Sequence, residues 1–216
     1  YVKDEYGVDP VYEAQAGEKE TDFRSYLLKA KATNPDALVC SGLVDETVRC
    51  LVQSYEVGIP KSVARVANSV ASKVEVPTNA GSAAVGVSYA AAFAASDTRP
   101  IAKDFVKHIK KRYGVVPGHD FSQMEDLLTM LKPALEKAEK GFSGDLASDR
   151  KAVRDSIAGI TNFTGLASGP ISFCAAGTPE CRDGNRTPVM IEYTKGGKNW
   201  KTKVAGTVTF NASAGL

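Results

Sequence analysis

The sequence has no apolar run approaching the roughly 20 residues that a helix needs to cross a bilayer, so nothing in it reads as a membrane-spanning helix. Net charge is equally scarce. The 27 basic residues are nearly balanced by 25 acidic ones, which gives no drive toward nucleic acid or an anionic membrane surface. The densest basic run, Lys107 to Arg112 (KHIKKR), lies on one helical pattern without a companion patch and reads as a solvated face. Histidine is limited to His108 and His119, both expected to be exposed. No CxxC pair or Cys/His cluster has metal-ligand spacing, which argues against structural zinc. A nucleophile elbow and a phosphate-cradling glycine loop are also missing. The glycines of NAGSAAVG precede a strand, the wrong context for a dinucleotide loop. These absences point away from catalysis and away from a cofactor. No signal peptide is visible and Tyr1 follows no methionine, so the chain is expected to be processed, truncated or partly recorded.

Four cysteines carry compartment information. Cys174 and Cys181 bracket AAGTPE, whose glycine and proline favour a tight reversal. A disulfide there would suit an oxidising compartment. Cys40 ends a short apolar run predicted to be a buried strand, and Cys50 lies on the next helical pattern; they read as two small buried apolar residues, with a second bridge the alternative. Three Asn-x-Ser/Thr sites, at Asn162, Asn185 and Asn211, would matter only in a source that glycosylates secreted proteins.

At 216 residues the chain can bury a substantial core as one large or two small domains. Tyr1 to Tyr6 read as the end of a helix and Val11 to Ala14 as a short strand. Phe23, Tyr26, Leu27 and Ala30 share a helical face until Pro35 stops the pattern. A strand follows at Ala37–Cys40, then a helix with Asp45 as its N-cap, carrying Val48, Leu51, Val52 and Tyr55 and ending at Gly58. Further strands are expected at Val63 to Ala67 and Ala84 to Tyr89. This alternation predicts an α/β fold with a mostly parallel sheet. From Ala90 the stretch AAAFAASDTRP reads as a crossover rather than a packed element. Helical patterns then cover Pro100 to Tyr113, Phe121 to Lys140 and Asp149 to Ile160. The first buries Ile101, Phe105 and Ile109. The second buries Met124, Leu127, Leu128, Leu131 and Leu135, and Pro133 should kink it. The end of the chain turns to β at Ile171 to Phe173, Val189 to Tyr193 and Val204 to Phe210, with a Gly196-Gly197 turn.

Seven segments in order, GEKETDF, NPDALVCSG, VGIPKS, NAGSAAVGVSY, DFVKHIKKRYGVVP, LKPALEKAEKG and NFTGLASGPISF, resemble the leucine/isoleucine/valine-binding family of periplasmic solute-binding proteins that feed ABC importers. The resemblance runs from about Tyr6 to Trp200. It implies the type I periplasmic-binding fold, two lobes of open α/β sheet joined by crossing strands, with a ligand held in the interlobe cleft. By this resemblance, residues 1–90 are the second lobe without its first strand, and residues 91–180 return to the first lobe. Residues 187–210 make a final β excursion to the second lobe, and the opening of the first lobe is absent. The implied function is capture of a small amino acid or carboxylate without catalysis. The implied partner is the membrane permease of an ABC importer, in a periplasmic or secreted setting, with lipid anchoring of the full-length protein a further option. The extracellular ligand-binding domain of a sensor on the same fold is the alternative.

The family's aromatic ligand wall falls at Leu43 or Val44 here, apolar but not aromatic. The acid that pairs with a ligand ammonium falls near Ala67, Asn68 and Ser69, where no carboxylate stands. An ammonium facing a neutral amide would be a desolvated, unpaired charge. A small aromatic or aliphatic acid without an amino group therefore fits Leu43, Val44, Asn68, Ser69 and Tyr89 at least as well as a branched-chain amino acid.

Overall fold

Asn34, at a left-handed φ of 50° just before Pro35, follows the first helix among the described residues, α1 (Arg24–Ala32), and turns the chain into β1 (Ala37–Cys40). The computed structural model describes residues 7–17, 20–167, 170–173 and 188–207. The expected helix end at Tyr1–Tyr6 and the Cys174–Cys181 pair lie outside the described residues. The chain then runs through α2 (Val44–Glu56) and β2 (Ala64–Ala67), a 3₁₀ turn at Ser69–Ser72, α3 (Glu75–Ala80), a second 3₁₀ turn at Gly81–Ala84, and β3 (Val87–Ala91). Three helices follow, α4 (Pro100–Tyr113), α5 (His119–Glu139) and α6 (Leu146–Ala158), and then β4 (Val189–Lys195) and β5 (Lys201–Thr207).

The five strands form one sheet in the order β1-β2-β3-β4-β5. β1 pairs with β2 in parallel, Cys40 opposite Ala67, and β2 pairs with β3 in parallel, Ala67 opposite Tyr89. The α/β class with parallel pairing and flanking helices is thus as the alternation of elements predicts. The chain divides into two compact units, Tyr1–Tyr89 with Glu192–Lys203 and Ala90–Ile191 with Val204–Leu216.

In the first unit, Leu27, Leu51, Ile59, Ala71, Val76, Val87, Tyr89 and Tyr193 are buried. Gln53 fastens α2 to the start of α1: its carbonyl accepts from Phe23 N at 2.6 Å and its amide donates to Thr21 O at 3.0 Å. Arg65 is a buried arginine whose guanidinium gathers the α2–β2 connection. It donates to Ser54 Oγ (3.2 Å) and to the carbonyls of Ile59 (3.0 Å), Pro60 (3.2 Å) and Val63 (3.0 Å), and it stacks 3.9 Å from the Tyr55 ring centroid. Burial lowers its pKa. In this way a cation is kept in the interior by carbonyl dipoles and an aromatic face.

In the second unit, Phe93, Ala102 and Leu166 form one core cluster, and Ala92, Met130, Ala167 and Ile171 another. Phe93 meets Phe105 edge-on at 5.8 Å. The Asp126 carboxylate is buried and accepts from Leu166 N (2.6 Å) and Ala167 N (2.8 Å), while Arg99 donates to the carbonyls of Gly165, Leu166 and Ala167. A side chain on Gly165 would collide with that carboxylate, an added Cβ lying 2.1 Å from Asp126 Oδ1.

Several expectations are corrected. Val11 to Ala14 are not a strand: residues 7–17 are nearly all exposed and pair with no strand among the described residues, and an unpaired strand would leave its ladder groups unmatched. Val39 is 67% exposed, so β1 is not a buried strand and only Cys40 is buried on it. Helix α2 is capped by Leu43, with Asp45 inside its first turn. β3 starts later than Ala84 because the 3₁₀ turn and a positive φ of 81° at Gly86 precede it. The AAAFAASDTRP stretch is packed, with Ala91 to Ala94 buried: Ala92 clusters with Met130 of α5, and Phe93 with Ala102 of α4 and Leu166. Ile171 makes only an isolated antiparallel bridge to Phe163. Helix α6 begins at Leu146 because Asp145 caps it, accepting from Ser148 N at 2.9 Å. Helix α4 buries Ala102 and Ile109, and Ile101 is exposed.

The largest reversal is on α5. Its buried face is Ser122, Asp126, Met130, Ala134 and Ala138, small or hydrogen-bonded residues. The expected core residues Met124 (57% exposed), Leu127, Leu128 (61%) and Leu135 face outward. Pro133 lies inside the continuous helix on an exposed position, so the carbonyl of Thr129, which loses its partner, can meet solvent.

Candidate functional site

Parallel strands place their carboxyl ends on one side of a sheet, and the loops that follow them stand side by side there. Here those loops are Ser41-Gly42-Leu43 after β1 and Asn68-Ser69 after β2. The register that sets Cys40 opposite Ala67 makes them neighbours. Asn68 Nδ2 donates to Gly42 O at 3.0 Å, and Thr47 Oγ1 reaches the same carbonyl at 3.4 Å. The Asn68 backbone carbonyl accepts from Ala71 N at 3.0 Å, which closes the 3₁₀ turn, but the Asn68 side chain does not cap it.

Gly42 has no room for a side chain, because an added Cβ would lie 2.8 Å from Glu46 Cβ. Leu43 is 72% exposed, Val44 half-buried and Ser69 exposed. Leu43, Val44, Asn68 and Ser69 are therefore brought together on adjoining loops. Tyr89 is not part of that exposed surface. It is 3% exposed, and its ring packs on Tyr193 at a centroid distance of 5.3 Å. The Tyr193 hydroxyl donates to Ala71 O. That bond ties β4 to the turn that Asn68 opens. Burial pushes the Tyr89 hydroxyl up to about 12, and that of Tyr193 is raised further, by burial first and by Tyr89 second. Trp200 closes the stack, edge-on to Tyr193 at 5.9 Å.

Cys40 and Cys50 are joined in a disulfide with a Cα–Cα distance of 5.9 Å, which overturns their reading as two unlinked buried thiols. Helix α2 folds back beside β1, so its second turn faces the strand's last residue. The bridge closes a short ring around Gly42, Leu43, Val44 and Glu46.

Sequence reasoning missed Glu46, Gly42 and Tyr193. The Ser-Gly turn was a signal for Gly42. Tyr193 had none, since it lies more than a hundred positions from Tyr89 and Ala71. His119, expected to be exposed, opens α5 and has a side chain only 13% exposed, with Nε2 2.9 Å from Asp120 Oδ1. Among the described residues there is no group of three or more His, Cys, Asp or Glu placed to hold a metal ion, and no helix is long and apolar enough to cross a membrane.

Residues 2–182 match the family model for periplasmic binding proteins. No curated protein matches the sequence. Among solved structures, the chain is similar to a leucine binding protein from Thermotoga maritima, at 24% identity and a TM-score of 0.70, over 88% of this chain and 49% of that one. It is also similar to the branched-chain amino acid transporter substrate binding protein of Streptococcus pneumoniae in complex with isoleucine, at 22% identity and a TM-score of 0.70, over 88% and 49% of the two chains. A third similar structure is an ABC transporter solute binding protein from R. palustris in complex with benzoate, at 18% identity and a TM-score of 0.69, over 91% and 51%. The chain spans about half the length of each of these structures.

Proposed function

The chain belongs to the periplasmic binding protein family, and we propose that it serves, within the full-length protein, in the solute-binding component of an ABC importer. It captures a small molecule, an amino acid or a small carboxylate, and carries out no chemistry on it. Residues 1–90 and 187–210 supply the lobe whose loops grip the ligand, and residues 91–180 contribute to the other lobe. The partner is a membrane permease, and the setting is periplasmic or secreted.

One observation carries this reading. Two loops at the carboxyl ends of parallel strands are fastened to each other through Asn68 and Gly42, and they present the exposed apolar Leu43 beside the exposed polar Ser69. Apolar wall and directed polar groups on adjoining loops are what a small-molecule site needs.

Isothermal titration of the full-length gene product with branched-chain amino acids and with small aromatic and aliphatic acids tests the proposal. Saturable binding of one class, with the ligand recovered unchanged, is expected. A converted product, or no binding across the whole set, would overturn it.

A further inference from the structure

Helix α4 turns Ala102 and Ile109 into the core, with Phe105 and Val106 half-buried beside them. Lys103, Lys107, Lys110 and Lys111 are all exposed and recur at i, i+4, i+7 and i+8. They form one stripe along the helix, away from the buried face. At roughly 1.5 Å per residue the stripe is about 12 Å long. Asp104, at its border, is the only acid on α4. Among the described residues, neither Asp104 nor any of the four lysines takes part in an ion pair.

That arrangement is unfavourable by itself, because like charges three and four positions apart destabilise a helix. Attraction to the negative end of the helix accounts for Lys110 and Lys111 in the last turn. It does not account for Lys103 and Lys107, and the first turn holds no acid to balance them. Other exposed cations do meet carboxylates: Arg24 meets Asp22 and Glu56, and Lys151 and Arg154 share Asp155. The stripe is therefore a concentrated positive field on a chain whose overall charge is only +2, and its complement is a surface of negative charge.

The residue type separates the two kinds of anionic surface. Protein interfaces are depleted in lysine and anchored by arginine, tyrosine and tryptophan. The arginine at this end of the helix, Arg112, is engaged with its neighbour, Nε donating to the Tyr113 hydroxyl at 3.0 Å. Lysines carry point charges on flexible stems, which suit phosphates arrayed without fixed geometry. Basic clusters of this size on a helix are drawn to anionic lipid. We propose that this face of α4 docks the protein on anionic phospholipid headgroups through Lys103, Lys107, Lys110 and Lys111. The surface uses none of the residues of the candidate site, so the inference goes beyond the solute-binding reading and does not depend on it.

The test sediments the full-length gene product with vesicles of phosphatidylcholine mixed with phosphatidylglycerol. Vesicles of phosphatidylcholine alone report any attachment that does not need charge. Binding to the anionic vesicles should be at least about tenfold tighter, and raised salt should remove the difference. Lys107→Gln with Lys110→Gln should weaken anionic binding by about tenfold or more, while Lys107→Arg with Lys110→Arg stays within about threefold. The control pair, Lys29→Gln with Lys61→Gln, removes the same charge from exposed positions in the other unit and should also stay within about threefold. Helical circular dichroism of each variant checks that it folds. Equal affinity for the two kinds of vesicle would overturn the proposal. So would a glutamine pair on the stripe that binds no more weakly than the control pair. Retention on polyglutamate beads that the stripe variant loses, with no preference among vesicles, would assign the stripe to an acidic protein surface instead.

Discussion

Asn68 Nδ2 lies 3.0 Å from the carbonyl oxygen of Gly42, so one side chain ties the turn after β2 to the loop after β1. The consequence is geometric. Leu43 and Ser69 sit on separate connections, and without that bond each loop could move independently of the other. Thr47 is a weaker second donor to the same carbonyl, at 3.4 Å. Asn68→Ala should therefore cost about 1 kcal/mol, the net value of one such bond. For a chain of this size that is a fall of roughly 2–4 °C in melting temperature. Binding of whichever solute the protein takes should weaken as well. A variant that melts and binds like the wild type would show that the two loops are positioned by their strands alone.

The Cys40–Cys50 bridge encloses Leu43, Val44 and Glu46. A loop this short is expected to gain on the order of 2–3 kcal/mol from cross-linking in the chain-entropy account. Paired Cys40→Ala and Cys50→Ala substitutions should lower the melting temperature and also weaken ligand binding, because the ring they open contains the binding loop. Alkylation of the unreduced protein followed by peptide mapping checks the pairing directly: label on Cys40 or Cys50 would show the bridge absent. The same map reads Cys174 and Cys181, whose bridge, if formed, should affect stability while leaving affinity nearly unchanged.

The buried tyrosine pair gives a pH dependence with a definite sign. Burial raises the Tyr89 hydroxyl to about 12 and moves that of Tyr193 in the same direction. An unfolded tyrosine ionises near pH 10. Above that value the unfolded chain releases protons that the folded chain retains, so stability is fully present below pH 10 and falls as pH rises toward about 12. Tyr89→Phe should flatten this loss. Denaturant titrations across that range, with tyrosinate absorbance as the second readout, check it; equal slopes for wild type and variant would assign the alkaline loss to other groups.

Much of the first half of the fold was legible because its signals are local. The Asn-Pro-Asp break, the four-residue run Ala37–Cys40 and the stop at Gly58 act over a few residues, and the elements form where they predict. The second half was harder to read because its apolar residues do not mark its core. On α5 the buried positions are held by Asp126, which binds two backbone amides, and by alanines that admit close approach. The leucines lie on the opposite side, so periodicity gave the helix but the wrong face. At the candidate site, Leu43, Val44, Asn68 and Ser69 could be found from their place after the strands. Glu46 and the role of Gly42 depend on how α2 folds back, which no local pattern encodes.

Gly196 is held to glycine by the backbone of another segment. An added Cβ would fall 1.7 Å from Gly81 O, and the adjacent Gly197 N donates to Pro77 O at 2.8 Å. Neither carbonyl is the end of a flexible side chain, so the β4–β5 connection must shift to admit a methyl group. Gly196→Ala should destabilise by about 1–3 kcal/mol, the range for overpacking a fixed site. Gly206, where an added Cβ meets nothing within 4 Å, is the control, and its alanine variant should melt close to the wild type. Chemical denaturation of the two variants side by side decides it: equal midpoints would mean the turn is free to move.

The outward face of α5 gives the last expectation. Leu128, Leu131 and Leu135, with Phe142 beyond the helix, line an apolar groove rimmed by Lys132, Glu136 and Glu139, and Met124 and Phe121 continue the exposed apolar surface toward the helix start. Contiguous apolar surface of this kind drives association in water. The helix itself does not depend on it, since its opposite face is anchored by Asp126 and packed through Met130, Ala134 and Ala138. The 216-residue polypeptide, produced on its own, should therefore self-associate at micromolar concentration. Replacing Met124, Leu128 and Leu135 together by Lys or Gln should shift it toward monomer while leaving the helical circular dichroism intact. Light scattering after size exclusion makes the comparison. A wild-type chain that elutes as a monomer, or a triple variant that associates as strongly as the parent, would show that this face does not drive assembly.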